Sequence, residues 1–208
     1  MKSSTLSLVA VLLGAAVAAS FFAARTAPVR SEAKRADRRS SAATTSPSAA
    51  TTPLTVDAAI KELDLIRPSR PKAAHDFTLK TLNGKTFRLA EQRGNVVLVN
   101  FWATWCPPCR EEMPAMERLH RAHKERGFVM VAVSVDADPA AVAPFVKEHK
   151  LTFTIALDPK MEAANAYGVR ALPSSFVIDR RGTMAAFALG PRAWDNRAAH
   201  ALIEGLAR

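Results

Sequence analysis

The sequence predicts an α/β domain, a central mixed sheet flanked by helices, carried behind a long N-terminal appendage. Three observations support this. Continuous apolar runs such as Val96–Trp102 and Phe128–Val135 alternate with helical segments, as strands covered on both faces do. Asn83-Gly84 separates two alternating runs, the signal of an N-terminal β-hairpin whose turn positions favour φ > 0. The first seventy or so residues differ in composition from everything after them.

Taken in order, the chain has no charge from Ser3 to Ala24, and residues 6–24 are almost all Leu, Val, Ala and Phe. That is close to the roughly 20 residues a helix needs to span a bilayer. Residues 1–24 are therefore expected to be a signal anchor that contacts lipid through residues 6–24. The alternative is a signal peptide cleaved after Ala16-Val17-Ala18, leaving a soluble protein. Residues 25–72, rich in Ala, Ser, Thr, Pro and Arg, read as a disordered basic tether, because they cannot bury enough surface to offset chain entropy. One short helix is expected within it, from Val56 to Leu65 behind a Thr55 cap and ended by Pro68 and Pro71.

The domain is expected over residues 73–208. It opens with a hairpin from Phe77 to Leu89 and continues with the buried strand Val96–Trp102. A helix follows from Cys106 to Arg126, with Met113, Met116 and Leu119 on one side, and then the strand Phe128–Val135. A helix from Pro139 to Lys150 takes Pro144 near its first turn. The strand Phe153–Leu157 and a short helix Met161–Tyr167 come next. Strands Ser175–Asp179 and Met184–Leu189, joined by Arg180-Arg181-Gly182, precede a final helix Asp195–Ala207.

The formal net charge of +10 does not imply nucleic-acid binding. Residues 1–72 carry 11 Lys and Arg against 5 Asp and Glu, whereas residues 73–208 carry 18 against 14. The excess is concentrated in the tether, where anionic lipid headgroups are the simpler partner. Neither a Cys–His finger spacing nor an aromatic–basic RNA-binding pattern is present.

The only two cysteines lie in Trp105-Cys-Pro-Pro-Cys109. Zinc and iron–sulfur sites need more ligands than this pair supplies. His120 and His123 have a ligand-like spacing but lie roughly 15 Å along the helix from Cys109, so both are expected on a solvated face. A purely structural disulfide closing so short a loop would stabilise little. Redox exchange fits better, because one thiolate attacks and a nearby thiol resolves the mixed disulfide. A sulfur at a helix N-terminus is favoured as thiolate, although Pro107 and Pro108 remove two N–H donors from that turn. Pro114 is expected to kink the helix in a structural role.

Val99-Asn-Phe-Trp-Ala-Thr-Trp-Cys-Pro-Pro-Cys-Arg-Glu-Glu-Met-Pro114 and Tyr167-Gly-Val-Arg-Ala-Leu-Pro-Ser-Ser-Phe-Val-Ile-Asp179, with the lead-in Asp76-Phe-Thr-Leu, resemble the membrane-anchored TlpA/ResA-type branch of the thioredoxin superfamily. The resemblance covers residues 73–208. It implies a thioredoxin-like fold with a helix–strand–helix insertion between Asp136 and Pro173. It also implies Cys106 as attacking thiolate, Cys109 as resolving thiol and Pro173 as a cis-proline against the site. Leu172 would then offer backbone to an extended substrate strand. Trp105, Pro107 and Pro108 would contact substrate, whereas Trp102 is as readily core.

Glu112 matches a glutamate of ResA-like proteins, as base toward Cys109 or as a specificity group. The alternative is a surface carboxylate beside Glu111. Asn100 stands where thioredoxin commonly carries a buried aspartate, which excludes an aspartate-mediated deprotonation of Cys109. Peroxidase chemistry of the Pro-x-x-x-Thr-x-x-Cys kind is disfavoured because Val99 and Ala103 fill the matching positions.

The resemblance implies an inner-membrane protein with its domain on the periplasmic side, reducing disulfides of apocytochrome c or of respiratory copper-site assembly proteins. Ala171-Leu-Pro-Ser174 leans toward the TlpA side. Electrons would come from a membrane dithiol donor, since no flavin- or nicotinamide-binding glycine loop is present and no cofactor is expected. A disulfide-donating oxidase and a copper carrier using the two sulfurs are the alternatives, and the latter lacks an obvious third ligand.

Overall fold

The first element of the computed structural model, which describes residues 53–208, is helix α1 (Val56–Glu62). The Thr55 hydroxyl accepts from the Ala58 N–H at 3.2 Å, the expected cap. Ala59, Ile60 and Leu63 are buried, and α1 packs on the C-terminal helix. The approach is close enough that a Cβ on Gly205 would come within 2.5 Å of Val56 Cγ2. Farther on, Ile66 bridges to Phe187 and Ala73 to Thr183. Residues 54–72 are thus part of the folded unit, which corrects the domain start at residue 73. The expected anchor and the rest of the tether lie outside the described residues, among which no helix is long and apolar enough to cross a membrane.

The sheet follows from β1 (Thr78–Thr81), β2 (Thr86–Arg88), β3 (Val96–Trp102), β4 (Phe128–Ser134), β5 (Thr154–Leu157), β6 (Ser174–Ile178) and β7 (Met184–Leu189). Its order is β2-β1-β5-β4-β3-β6-β7. Strands β3, β4 and β5 are mutually parallel, and the remaining pairings are antiparallel. All seven residues of β3 are buried, which explains why it reads as a continuous apolar run rather than an alternating one. Helices α2 (Pro107–His123) and α3 (Val142–Glu148) make the two parallel crossovers. They cover one face, where Asn100 meets Glu112 and Trp102 packs on Phe145. Helix α4 (Glu162–Ala166) leads into Tyr167, which packs with Phe101 and Phe176 on the other face. The C-terminal helix α5 (Arg197–Ala207) starts at an Asn196 cap.

Two expectations are corrected. The Asn83-Gly84 turn has only Gly84 at positive φ (+80°), and Asn83 is not among the positive-φ residues. Gly84 N–H donates to Thr81 C=O, and Thr81 N–H to Lys85 C=O. The loop is therefore three residues long with glycine last, and Leu82 is held by its N–H to the Ile155 carbonyl. The second correction concerns the histidines. His123 is 2% exposed, with its Nε2 2.8 Å from His200 Nδ1 on α5. His120 is half-buried, edge-on to Phe153. Met116, Leu119 and His123 follow i, i+3, i+7, so His123 continues the buried stripe of α2. Burial, with His200 alongside, holds the His123 imidazole below its usual pKa.

Docking of α1 makes a direct expectation. Ile60→Ala and Leu63→Ala should each lower the unfolding free energy by about 2–4 kcal/mol in denaturant titration. Changes within about 0.5 kcal/mol would be expected of a tether.

Candidate active site

Strand β3 ends at Trp102, and four residues later Cys106 is the N-cap of α2, with extended backbone. The turn between them is held by Asp136 just beyond β4. Its carboxylate accepts from the Thr104 N–H at 3.1 and 3.2 Å, from the Thr104 hydroxyl at 2.6 Å and from the Ser134 hydroxyl at 2.8 Å. Because β3 and β4 are parallel, their carboxyl ends share one edge of the sheet, and Asp136 sits beneath the cysteine loop for that reason. Sequence reasoning missed this residue, although a carboxylate directly after a buried parallel strand marks that edge.

Cys106 and Cys109 are joined as a disulfide with Cα atoms 5.3 Å apart. Pro107 and Pro108 take the first two helical positions, where a missing N–H is tolerated. The Arg110 N–H donates to the Cys106 carbonyl and closes the first turn. The two sulfurs are unequally placed. Cys106 is 4% exposed and lines an open groove of about 590 Å³, whereas Cys109 is fully buried.

The groove gathers several of the expected residues. Trp105, Pro107, Pro108 and Leu172 line it with Cys106, and Val135, Met161 and Arg170 join them. Trp105 is 67% exposed, whereas Trp102 is wholly core. The Leu172–Pro173 peptide is cis. Pro173 itself is buried behind the groove, its carbonyl accepting from the Gly190 N–H at 2.8 Å. The Leu172 N–H and C=O have no hydrogen-bond partner among the described residues.

Glu112 is not on the surface. It is 4% exposed, one helical turn beyond Cys109. One carboxyl oxygen accepts from Asn100 Nδ2 at 2.8 Å, and the other from the Arg192 N–H and the Trp194 indole N–H, both at 3.2 Å. Burial pushes its pKa up to about 7, against the opposing pull of these hydrogen bonds and of the Arg192 charge. Asn100 also donates to Ser175 Oγ at 2.9 Å. Arg192 and Trp194 carry no sequence signal, since they reach Glu112 only through the fold. Val99 and Ala103 are fully buried and provide no hydroxyl beside Cys106.

A mixed sheet with a cysteine pair opening the helix after its central strand, faced by a cis-proline loop, defines a thioredoxin-like domain. The AhpC/TSA family profile matches residues 71–187, and the chain belongs to that family, in its thioredoxin-like ResA/TlpA-type branch. The thiol-disulfide oxidoreductase ResA of Bacillus thuringiensis subsp. konkukian is 42% identical over 111 residues, 53% of this chain and 64% of that protein. The ResA of Geobacillus thermodenitrificans is 42% identical over 109 residues, 52% of this chain and 63% of that protein. The match thus spans less than two thirds of these relatives' length. Among solved structures, a thiol:disulfide interchange protein of the thioredoxin family from Chlorobium tepidum superposes with a TM-score of 0.57 at 34% identity, covering 65% of this chain and 99% of that one. StoA from Bacillus subtilis gives 0.53 at 30% identity, covering 61% and 97%.

The buried carboxyl makes stability depend on pH. The folded chain keeps the Glu112 proton up to about 7, whereas an ordinary glutamate loses it near 4.5. The folded state therefore holds the extra proton between these values. The contribution is complete below the lower value and is lost as pH rises through the upper one, by about 3 kcal/mol in all. Glu112→Gln should flatten the fall in unfolding free energy across that window by about one proton, measured by denaturant titration at a series of pH values.

Proposed function

We propose that this protein is a thiol–disulfide oxidoreductase that reduces disulfides in other proteins. The observation that carries the reading is the asymmetry of the pair, with one sulfur at an open groove and the other buried a helical turn from a protonatable carboxyl. In the reduced enzyme the Cys106 thiolate, at the N-terminus of α2, attacks one sulfur of a substrate disulfide. The substrate S–S bond breaks, a Cys106–substrate bond forms, and the other substrate sulfur leaves as a thiolate that takes up a proton.

Cys109 then attacks the Cys106 sulfur, its proton passing to Glu112. This closes the Cys106–Cys109 disulfide and releases the second substrate sulfur as a thiolate, which takes up a proton from solvent. Two electrons have moved from enzyme to substrate, and a dithiol donor restores the starting state. The free Leu172 N–H and C=O are available to pair with the substrate backbone while the exchange proceeds.

The substrates we assign are cysteine pairs of apocytochrome c or of respiratory copper-site assembly proteins. The donor is a membrane dithiol protein, and the domain works on the periplasmic side of the inner membrane behind a span at residues 6–24. The uncharged N-terminal run supports this placement.

Cys109→Ser, presented with a disulfide-bearing peptide, should accumulate a mixed disulfide on Cys106 that mass spectrometry locates there. Cys106→Ser should accumulate none. Adducts forming only on Cys109 would reverse the assigned roles, equal adducts on both would remove the asymmetry, and no adduct in either variant would remove the activity.

A further inference from the structure

The groove beside Cys106 is apolar along most of its length, with Trp105, Val135, Met161 and Leu172 among its walls. Arg170 is the one charged residue lining it. Its guanidinium reaches only the carbonyl of its own neighbour, Val169, at 3.0 Å. No carboxylate pairs with it among the described residues. Arg118, Arg181 and Arg197 pair with Asp195, Asp179 and Glu62, whereas Arg70, Arg93, Arg110 and Arg180, which like Arg170 have no carboxylate partner among the described residues, do not line this groove. Asp136, the carboxylate under the cysteine loop, is buried and taken up by Thr104 and Ser134. A lone guanidinium at the edge of an apolar groove presents a planar fork of donors that matches a carboxylate.

Position adds to charge. Arg170 precedes Leu172 by two residues, at most about 7 Å of chain. A substrate strand paired to the free Leu172 backbone lays successive side chains to alternate sides. One set would face Trp105 and Met161, and a residue about two positions from the reacting cysteine would come within reach of Arg170.

Building on the reductase reading, we infer that Arg170 is a specificity residue, and that the preferred substrate is an extended disulfide-bearing segment with an aspartate or glutamate side chain about two residues from the attacked cysteine. Apolar contact with the groove supplies affinity, and the carboxylate–guanidinium pair selects among segments and sets their register.

The test uses the full chain carrying Cys109→Ser, so that adducts on Cys106 accumulate. It compares disulfide peptides, amidated at the C-terminus to remove the terminal carboxylate, that differ only in Asp, Asn or Lys two residues from the cysteine. With Arg170 present, the Asp peptide should form its mixed disulfide about three- to fivefold faster than the Asn peptide at low ionic strength. The Lys peptide should be slowest, and the spread should shrink in about 0.5 M salt. Adding Arg170→Glu should invert the order and favour the Lys peptide, which a loss of groove structure would not do. Equal rates for the Asp and Asn peptides, or an Asp preference that survives Arg170→Glu, would overturn the inference. Hydroxyethyl disulfide separates the two levels of the proposal. If it modifies Cys106 while the peptides show no charge preference, only the role of Arg170 falls. If neither it nor any peptide reacts, the exchange reading itself falls, and the inference with it.

Discussion

The buried carboxyl of Glu112 ties the molecule together. Asn100 of the central strand, the Arg192 backbone and the Trp194 indole all donate to it. It therefore joins β3, the active-site helix and the segment leading into α5 at one point. Arg192 extends the connection. Its guanidinium donates to the Leu63 and Asp64 carbonyls at the end of α1 and pairs with the Asp64 carboxylate at 3.1 Å. The N-terminal helix is thus two residues removed, through Arg192, from the carboxyl that lies a turn beyond Cys109. A carboxyl so placed is held close to the balance between its two protonation states, because burial favours the acid and the surrounding donors favour the anion.

The same architecture explains why the two cysteines differ. The central strand is covered on both faces, so the chain leaving it can reach solvent only at its carboxyl edge. Asp136 holds that exit turn through Thr104, and Cys106 emerges against the groove, whereas Cys109, one turn into α2, is already beneath the sheet's cover. One sulfur of the disulfide thus borders the open groove, and the other lies a helical turn from the Glu112 carboxyl. The cis-proline loop supplies the wall across from Cys106, and its free Leu172 backbone is a short edge ready for pairing.

Features carried by local spacing were legible in the sequence. The cysteine pair, the strand before it and the Thr55 cap depend on residues close together in the chain, whereas the cis-proline loop at Pro173 came through the family resemblance. Glu112 was legible as a residue but not as a buried one, since its partners lie 12, 80 and 82 positions away. Asp136 acts across 32 positions. The docking of α1 was hidden because a short apolar helix is diluted by the basic, proline-rich residues on either side, and because the glycine that admits Val56 is near the C-terminus. His123 is a different kind of miss, since extending the Met116–Leu119 stripe by one turn would have placed it in the core. The hairpin loop was misread because Asn-Gly is compatible with two turn geometries, and the pairing of Leu82 with Ile155 decides between them.

The central claim is that the Cys106–Cys109 couple gives electrons rather than takes them. Its reduction potential, obtained by equilibrating the protein with glutathione or dithiothreitol buffers, tests this most directly. The account predicts a value at or below about −230 mV, toward the thioredoxin end of the scale. A value near about −120 mV would mark a disulfide donor and contradict the reductase assignment.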